Sequence, residues 1–248
     1  MTRKICLISI ITLLCLAACQ VKPFHDTETP TLEIINIQVT PASAYWMDEV
    51  AQCSQQIPYL GVYRQILPVN ELDLSTADLI LRFGQRQETD PFVTVLGTEE
   101  IVLVAGKDVL VSSLSLESVQ AMFTGVYTYW EQVSESQEIT SEATQPITTL
   151  SFPPGHELRN LFETSFLESE SIANNATVFY SEEALEKLLT EYPFAISFAL
   201  KSQTPEGVRT LGITSDNPQP GLQYVLGITR QEPTGYLREL LLCLQNAP

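Results

Sequence analysis

Short apolar runs alternate along the chain with stretches in which apolar residues return every third or fourth position. Ile101 to Ala105 is uninterrupted and largely β-branched, the pattern of a strand buried on both faces. Gly106-Lys107-Asp108 breaks it. Ser115 then stands where an N-cap belongs, Leu116, Val119, Met122 and Phe123 follow at helical spacing, and Gly125 closes the helix. The same reading predicts strands at 32–39, 59–67, 79–84, 147–152, 178–180, 193–198, 208–213 and 224–228. Further helices are predicted from Thr40 or Ser43 through Cys53, from His156 through Phe166, from Ser181 through Leu189, and from Thr234 through Leu244. Strands alternating with helices indicate a largely parallel α/β arrangement. Residues 131–146, acidic and rich in serine and threonine, read as a surface loop, and no internal repeat is visible.

The first 30 residues follow another pattern. Arg3 and Lys4 precede a short apolar run, Ile5 to Leu16, and then Leu16-Ala17-Ala18-Cys19. The run is too short for a comfortable membrane span, and small residues lead into the cysteine as in a secretory signal. Leu-Ala-Ala-Cys resembles the bacterial lipobox, which implies removal of residues 1–18, lipidation of Cys19, and a protein anchored outside the cytoplasm. The alternative is an ordinary signal peptide with an incidental cysteine. Gln20 to Pro30, polar and proline-containing, suits a tether over 19–30. A hydrophobic fraction of 44% across 248 residues supports a folded body. The net charge of −17 repels phosphate backbones, which argues against nucleic acid as a partner. Cys53 and Cys243 remain after signal removal, on predicted helices at opposite ends of the chain. They form one disulfide if those helices touch, and two separate buried thiols if they do not.

Leu114, Ser115, Val119, Met122, Phe123, Gly125 and Trp130 together resemble a segment of the phosphate-type periplasmic solute-binding proteins, in which F-x-G-x-x-x-x-W is the most specific part. Ala195-Ile196-Ser197-Phe198 resembles that family's return strand, with serine in place of glycine. The resemblance implies a two-lobed type 2 periplasmic-binding-protein-like α/β fold. Its mixed, mostly parallel sheets would be flanked by helices, with a cleft between the lobes. Residues 31–105 and 200–248 would build lobe one and 106–199 lobe two, with hinge closure over a solute. The implied partners are an ABC transporter permease, the membrane through the lipid anchor, and a small oxyanion or other polar solute. A monomer without cofactor is expected.

Candidate ligand contacts follow from the resemblance and from helix starts, where free backbone N–H groups receive anions. They are Ala42, Ser43 and Ala44 after the first strand, Gly84 and Gln85 after the third, and Pro154, Gly155 and His156 at the start of the helix that runs to Phe166. Phosphate-binding relatives carry Ser-Gly-Thr at the last position and an arginine a few residues earlier. Here only Gly155 agrees, Leu150 falls where the arginine is expected, and Pro154 lacks an amide donor. Arg159, one turn into the helix, either compensates or is an exposed arginine. His156 is either a donor to a bound anion or a surface helix cap. Tyr127, Tyr129 and Trp130 either line the cleft or pack. Two histidines, one of them in the tether, make a histidine metal site an unfavoured reading. No nucleophile elbow, P-loop or dinucleotide fingerprint occurs, which points away from an enzyme. Three readings stay open: a transporter's solute-binding protein, a binding-fold module serving as a surface sensor or partner-binding domain, and an exported hydrolase, for which no nucleophile and base pair can be named.

Overall fold

The computed structural model describes residues 31–133, 145–215 and 219–246. The signal, the tether, Cys19 and the middle of the acidic loop (134–144) lie outside them. The elements below all belong to one unit, Glu33–Pro248. In order they are β1 (Glu33–Val39), α1 (Trp46–Gln56), β2 (Leu60–Ile66), β3 (Leu79–Gly84), β4 (Phe92–Ala105), β5 (Ser113–Ser115), α2 (Leu116–Phe123), β6 (Thr148–Ser151), α3 (Glu157–Phe166), β7 (Thr177–Val178), α4 (Glu182–Glu191), β8 (Ala195–Leu200), β9 (Arg209–Thr214), β10 (Leu222–Thr229) and α5 (Gly235–Gln245).

Strand order is β2-β1-β3-β10-β4-β8-β6-β7, with β9 pairing to β4 and β5. One long strand joins two halves. β4 pairs antiparallel with β10 over Phe92 to Glu100, then with β8 and β9 over Ile101 to Ala105. Strand pairing therefore changes partners at Glu100/Ile101. Residues 33–100 and 222–229 supply the first group of strands, and 101–214 the second. The division expected from the sequence assigns β9 to lobe one, whereas its pairing lies with β4's second half and β5. β1, β2 and β3 are mutually parallel through β1, as are β6, β7 and β8 through β6. The antiparallel pairs all involve the connecting strands β4 and β10.

The second crossing is held by a close backbone approach. Ile101 N donates to Gly221 O at 2.9 Å, and a Cβ on Gly221 would lie 2.2 Å from Ile101 O. Only glycine fits there. Around the change-over, Lys201 Nζ bonds Glu100 Oε2 at 2.8 Å and Tyr45 Oη donates to Glu99 Oε2 at 3.0 Å.

The helix after β4 forms for the reasons its sequence gives. Ser115 Oγ accepts from Ser118 N at 3.2 Å, and Gly125 takes φ +81° past the last turn, where a side chain would be strained. Phe123 and Trp130 are buried, and Trp130 Nε1 donates to Phe194 O at 2.9 Å. The F-x-G-x-x-x-x-W stretch thus fixes packing. Phe123 meets Phe162 at 4.6 Å between centroids, and Phe162 stacks on Phe198 at 4.0 Å. Each such ring contributes roughly 1.5–3 kcal/mol of burial. Tyr127 is half-buried against this core, and Tyr129 is exposed. Cys53 and Cys243 are bonded, joining α1 to α5 across 190 residues of sequence.

Candidate functional site: the gap between β3 and α3

The gap begins where β1 stops. β1 and β3 pair as far as Val39↔Leu81, and the chain then turns away through Thr40 to Tyr45 before α1. Leu81 O and Phe83 N, on the edge of β3 that β1 has left, need other partners. Ser43 Oγ donates to Leu81 O at 2.9 Å. Phe83 N donates to Glu157 Oε1 at 3.1 Å, a carboxylate arriving from the first turn of α3. Glu157 Oε2 accepts from Thr40 Oγ1. Thr40 and Ser43 are fully buried, and Glu157 is 5% exposed.

One stripe of α3 makes this whole contact. Residues 157, 161 and 165 recur at i, i+4 and i+8, which places them on one face. Glu157 reaches Thr40 and Phe83, Leu161 covers Gly84, and Ser165 Oγ accepts from Gln223 Nε2 at 3.0 Å. Leu158, Phe162 and Phe166, on the adjoining stripe of the helix, enter the core. Two cavities flank the stripe and share Val69, Glu157 and Asn160. One, of about 600 Å³, is lined by Arg82, Gln85, Arg86, Asn160, Thr164 and Gln223 among others. The other, of about 570 Å³, is bounded by Pro41, Asn70, Pro153, Pro154, Gly155 and His156.

The charged groups nearby are mostly occupied. Burial pushes the Glu157 carboxyl up to about 7, with the Thr40 hydroxyl, the Phe83 amide and the charge of Arg82 opposing the rise. Arg82 bonds Asp90 Oδ2 at 2.6 Å and also donates to the carbonyls of Phe83 and Gln85. Arg159 faces away. It bonds Glu163 Oε1 at 2.9 Å, donates to Phe152 O and Ile172 O, and is buried. It is neither an exposed arginine nor a lining residue of either cavity, so its charge is engaged within the second group of elements.

The residues expected to face a ligand divide into two sets. Gly84 and Gln85 line the larger cavity, Pro154, Gly155 and His156 the smaller. Ser43 and Ala44 do not present free amides, because Ser43 N bonds Thr40 O and Ala44 N bonds Pro41 O within the turn. Ala42 is buried at that turn. His156 is the N-cap residue of α3 but makes no capping bond. Its ring stacks on Phe152 at 4.2 Å with an 8° tilt, and its buried Nδ1 has no partner among the described residues. Burial lowers its pKa to about 4, so the ring is neutral near pH 7. Glu157 escaped the sequence reading. An acid in a first helical turn is the ordinary response to the helix dipole, so nothing marked this one as reaching across a gap. Among the described residues no group of three or more His, Cys, Asp or Glu is placed to hold a metal, and no helix is long and apolar enough to cross a membrane.

No protein-family model and no curated protein matches the chain. Solved structures do. An ABC-type phosphate transport receptor from Vibrio cholerae superposes with a TM-score of 0.70 at 18% identity, covering 86% of this chain and 93% of that one. A phosphate ABC transporter substrate-binding protein from Clostridium perfringens, with bound phosphate, gives 0.69 at 13% identity, covering 86% and 93%. The CcmR regulatory domain of Synechocystis, in complex with 2-PG, gives 0.60 at 13% identity, covering 87% and 99%. The fold is therefore the two-lobed type 2 periplasmic-binding-protein fold, with mixed sheets flanked by helices and a cleft between them. At these identities the likeness carries the fold alone, and the fold serves transport receptors and regulatory domains alike.

Proposed function

We propose that this chain is an extracytoplasmic solute-binding protein of the phosphate-like class, anchored through Cys19, which presents a small polar solute to an ABC transporter permease. The observation that carries the reading is the cavity of about 600 Å³ between β3, α3 and the start of β10. That volume suits an organic ligand. Its polar lining is mainly amide and hydroxyl, from Gln85, Gln87, Asn160, Thr164 and Gln223, with Phe83 and Leu161 as apolar walls. Such a lining favours a solute with several hydroxyl, amide or amino-acid groups over a bare oxyanion. Arg86, exposed at the rim, supplies a cation for a single acidic group.

A second reading, a surface sensor or partner-binding module, draws on a different observation. The buried donors Thr40 and Phe83 N are satisfied by the protein's own carboxyl. The two readings separate in a thermal-shift screen of residues 31–248 against phosphate, sulfate, molybdate, amino acids and small sugars. A ligand at 100 times its Kd stabilises the folded state by about 2.7 kcal/mol. Saturable stabilisation by one organic solute is expected. Indifference to the whole panel sinks the transport reading and leaves the sensor or docking module.

A further inference from the structure

We propose that the Glu157 carboxyl is a built-in ligand: it fills a carboxylate- and oxyanion-binding site formed by the Thr40 hydroxyl and the Phe83 amide, and thereby keeps free anions out of the cleft.

The donors are prepared independently of Glu157. Ser43 N donates to Thr40 Oγ1 at 3.2 Å and Ser43 Oγ lies 2.8 Å from it, so the Thr40 hydroxyl is fixed at the turn with its hydrogen directed to Glu157. Ser43 Oγ, itself receiving from Thr40 N at 3.1 Å, is held by Leu81 O. The Phe83 amide is fixed in β3 and turned toward the side that β1 has vacated. Both donors come from the first group of strands; the Phe83 amide has no partner there, and the Thr40 hydroxyl, 2.8 Å from Ser43 Oγ, also reaches across to Glu157. Their acceptor is delivered from α3, on the second group. A carboxyl offers two oxygens to two donors, the arrangement by which a bound carboxylate or one edge of a tetrahedral oxyanion is held. Arg82 lies close enough to favour negative charge there, while Asp90 and three carbonyl contacts hold its guanidinium in place. His156, next along the chain, is stacked on Phe152 and brings no charge.

This inference rests on the gap being the working cleft, but not on the solute or on any transporter. It is tested with variants of the folded body and simple anions. Glu157→Ala removes the built-in carboxyl, leaving the Phe83 amide buried without an acceptor and the Thr40 hydroxyl with Ser43 Oγ alone. Its melting temperature is expected to fall by roughly 5 °C. Sodium acetate or sodium phosphate should then restore a large part of that loss saturably, beyond sodium chloride at equal ionic strength. Wild type should show no such response. Adding Thr40→Val to Glu157→Ala should abolish the recovery. Should the alanine variant not accumulate, Glu157→Gln keeps an acceptor oxygen in place and must be as indifferent to phosphate as wild type. An alanine variant that melts alike in acetate and chloride overturns the proposal. So does a wild type or glutamine variant that takes up phosphate saturably. Failure of wild type to bind any organic solute bears only on the function proposed above.

Discussion

Two neighbouring side chains at the start of α3 titrate in opposite senses, and together they shape the pH dependence of stability. The Glu157 carboxyl is pushed by burial from the ordinary 4.5 up to about 7. The folded state then holds a proton that the unfolded state has released, so its contribution is complete below about 4.5 and is lost as pH rises through about 7. Across that window the loss is on the order of 3 kcal/mol. His156 behaves oppositely. Its pKa falls from 6.5 to about 4, so its contribution is complete above 6.5 and is lost as pH drops through about 4. Wild type should therefore show a flattened profile between pH 4 and 7, the two trends opposing each other. Denaturant unfolding at a series of pH values checks this: Glu157→Gln should expose stability that rises with pH, and His156→Phe stability that falls with it. A glutamine variant whose profile runs parallel to wild type sinks the assignment. His156 was visible in the sequence as one of two histidines at a helix start. Its role was not, because stacking on Phe152 depends on which way the turn delivers the ring.

At the scale of elements, the crossing between the two strand groups depends on one missing side chain. A Cβ on Gly221 would lie 2.2 Å from Ile101 O, a backbone atom within β4 that has no freedom to withdraw. Gly221→Ala should cost about 3 kcal/mol or more through displacement of that crossing. Gly207→Ala is the control: nothing lies within 4 Å of its added Cβ, and only the φ of +86° is strained, costing about 1–2 kcal/mol. Chemical denaturation of both variants checks the order, and equal losses overturn it. The bond between α1 and α5 gives a second expectation. Cys53→Ala with Cys243→Ala should lose about 2–5 kcal/mol, because 190 residues of loop are no longer closed in the unfolded chain. Most elements were legible from periodicity and caps. Ser115 and Ser181, each capping through its own hydroxyl, mark α2 and α4 within a residue of where they begin. The first half of β4 was not legible. Phe92 to Glu100 mixes threonines and acids because β10 pairs with it while β8 and β9 reach only Ile101 to Ala105, so most of its side chains are half-buried and it lacks the unbroken apolar run of Ile101 to Ala105. Gly221 was equally silent, since a glycine beside Pro220 reads as a turn.

For the whole molecule the sequence showed two lobes through a resemblance centred on one packing motif. It could not show whether the gap between them was open, because that depends on Glu157, Leu161 and Ser165 meeting residues far away in sequence. The same scale decides association. β2 is one end of the strand order, pairing among the described residues with β1 alone, and it exposes Tyr63 and Ile66, with Tyr59 just before it. An edge of unpaired N–H and C=O groups next to exposed apolar side chains is a template for pairing with another copy. Two features oppose that at neutral pH: Arg64 within the strand, and the overall charge of −17, which makes copies repel. The repulsion fades toward the isoelectric point, near 4.4. Scattering or sedimentation measured from pH 7.5 down to 4.5 should thus find a monomer giving way to dimers and larger species, with added salt lowering the pH effect by screening. Tyr63→Lys and Ile66→Lys should hold the monomer at pH 5, whereas Leu242→Lys, an equally exposed apolar position on α5 away from that edge, should not. If all three substitutions protect alike, added charge alone is responsible. Selective protection by the first two identifies β2 as the surface through which copies meet.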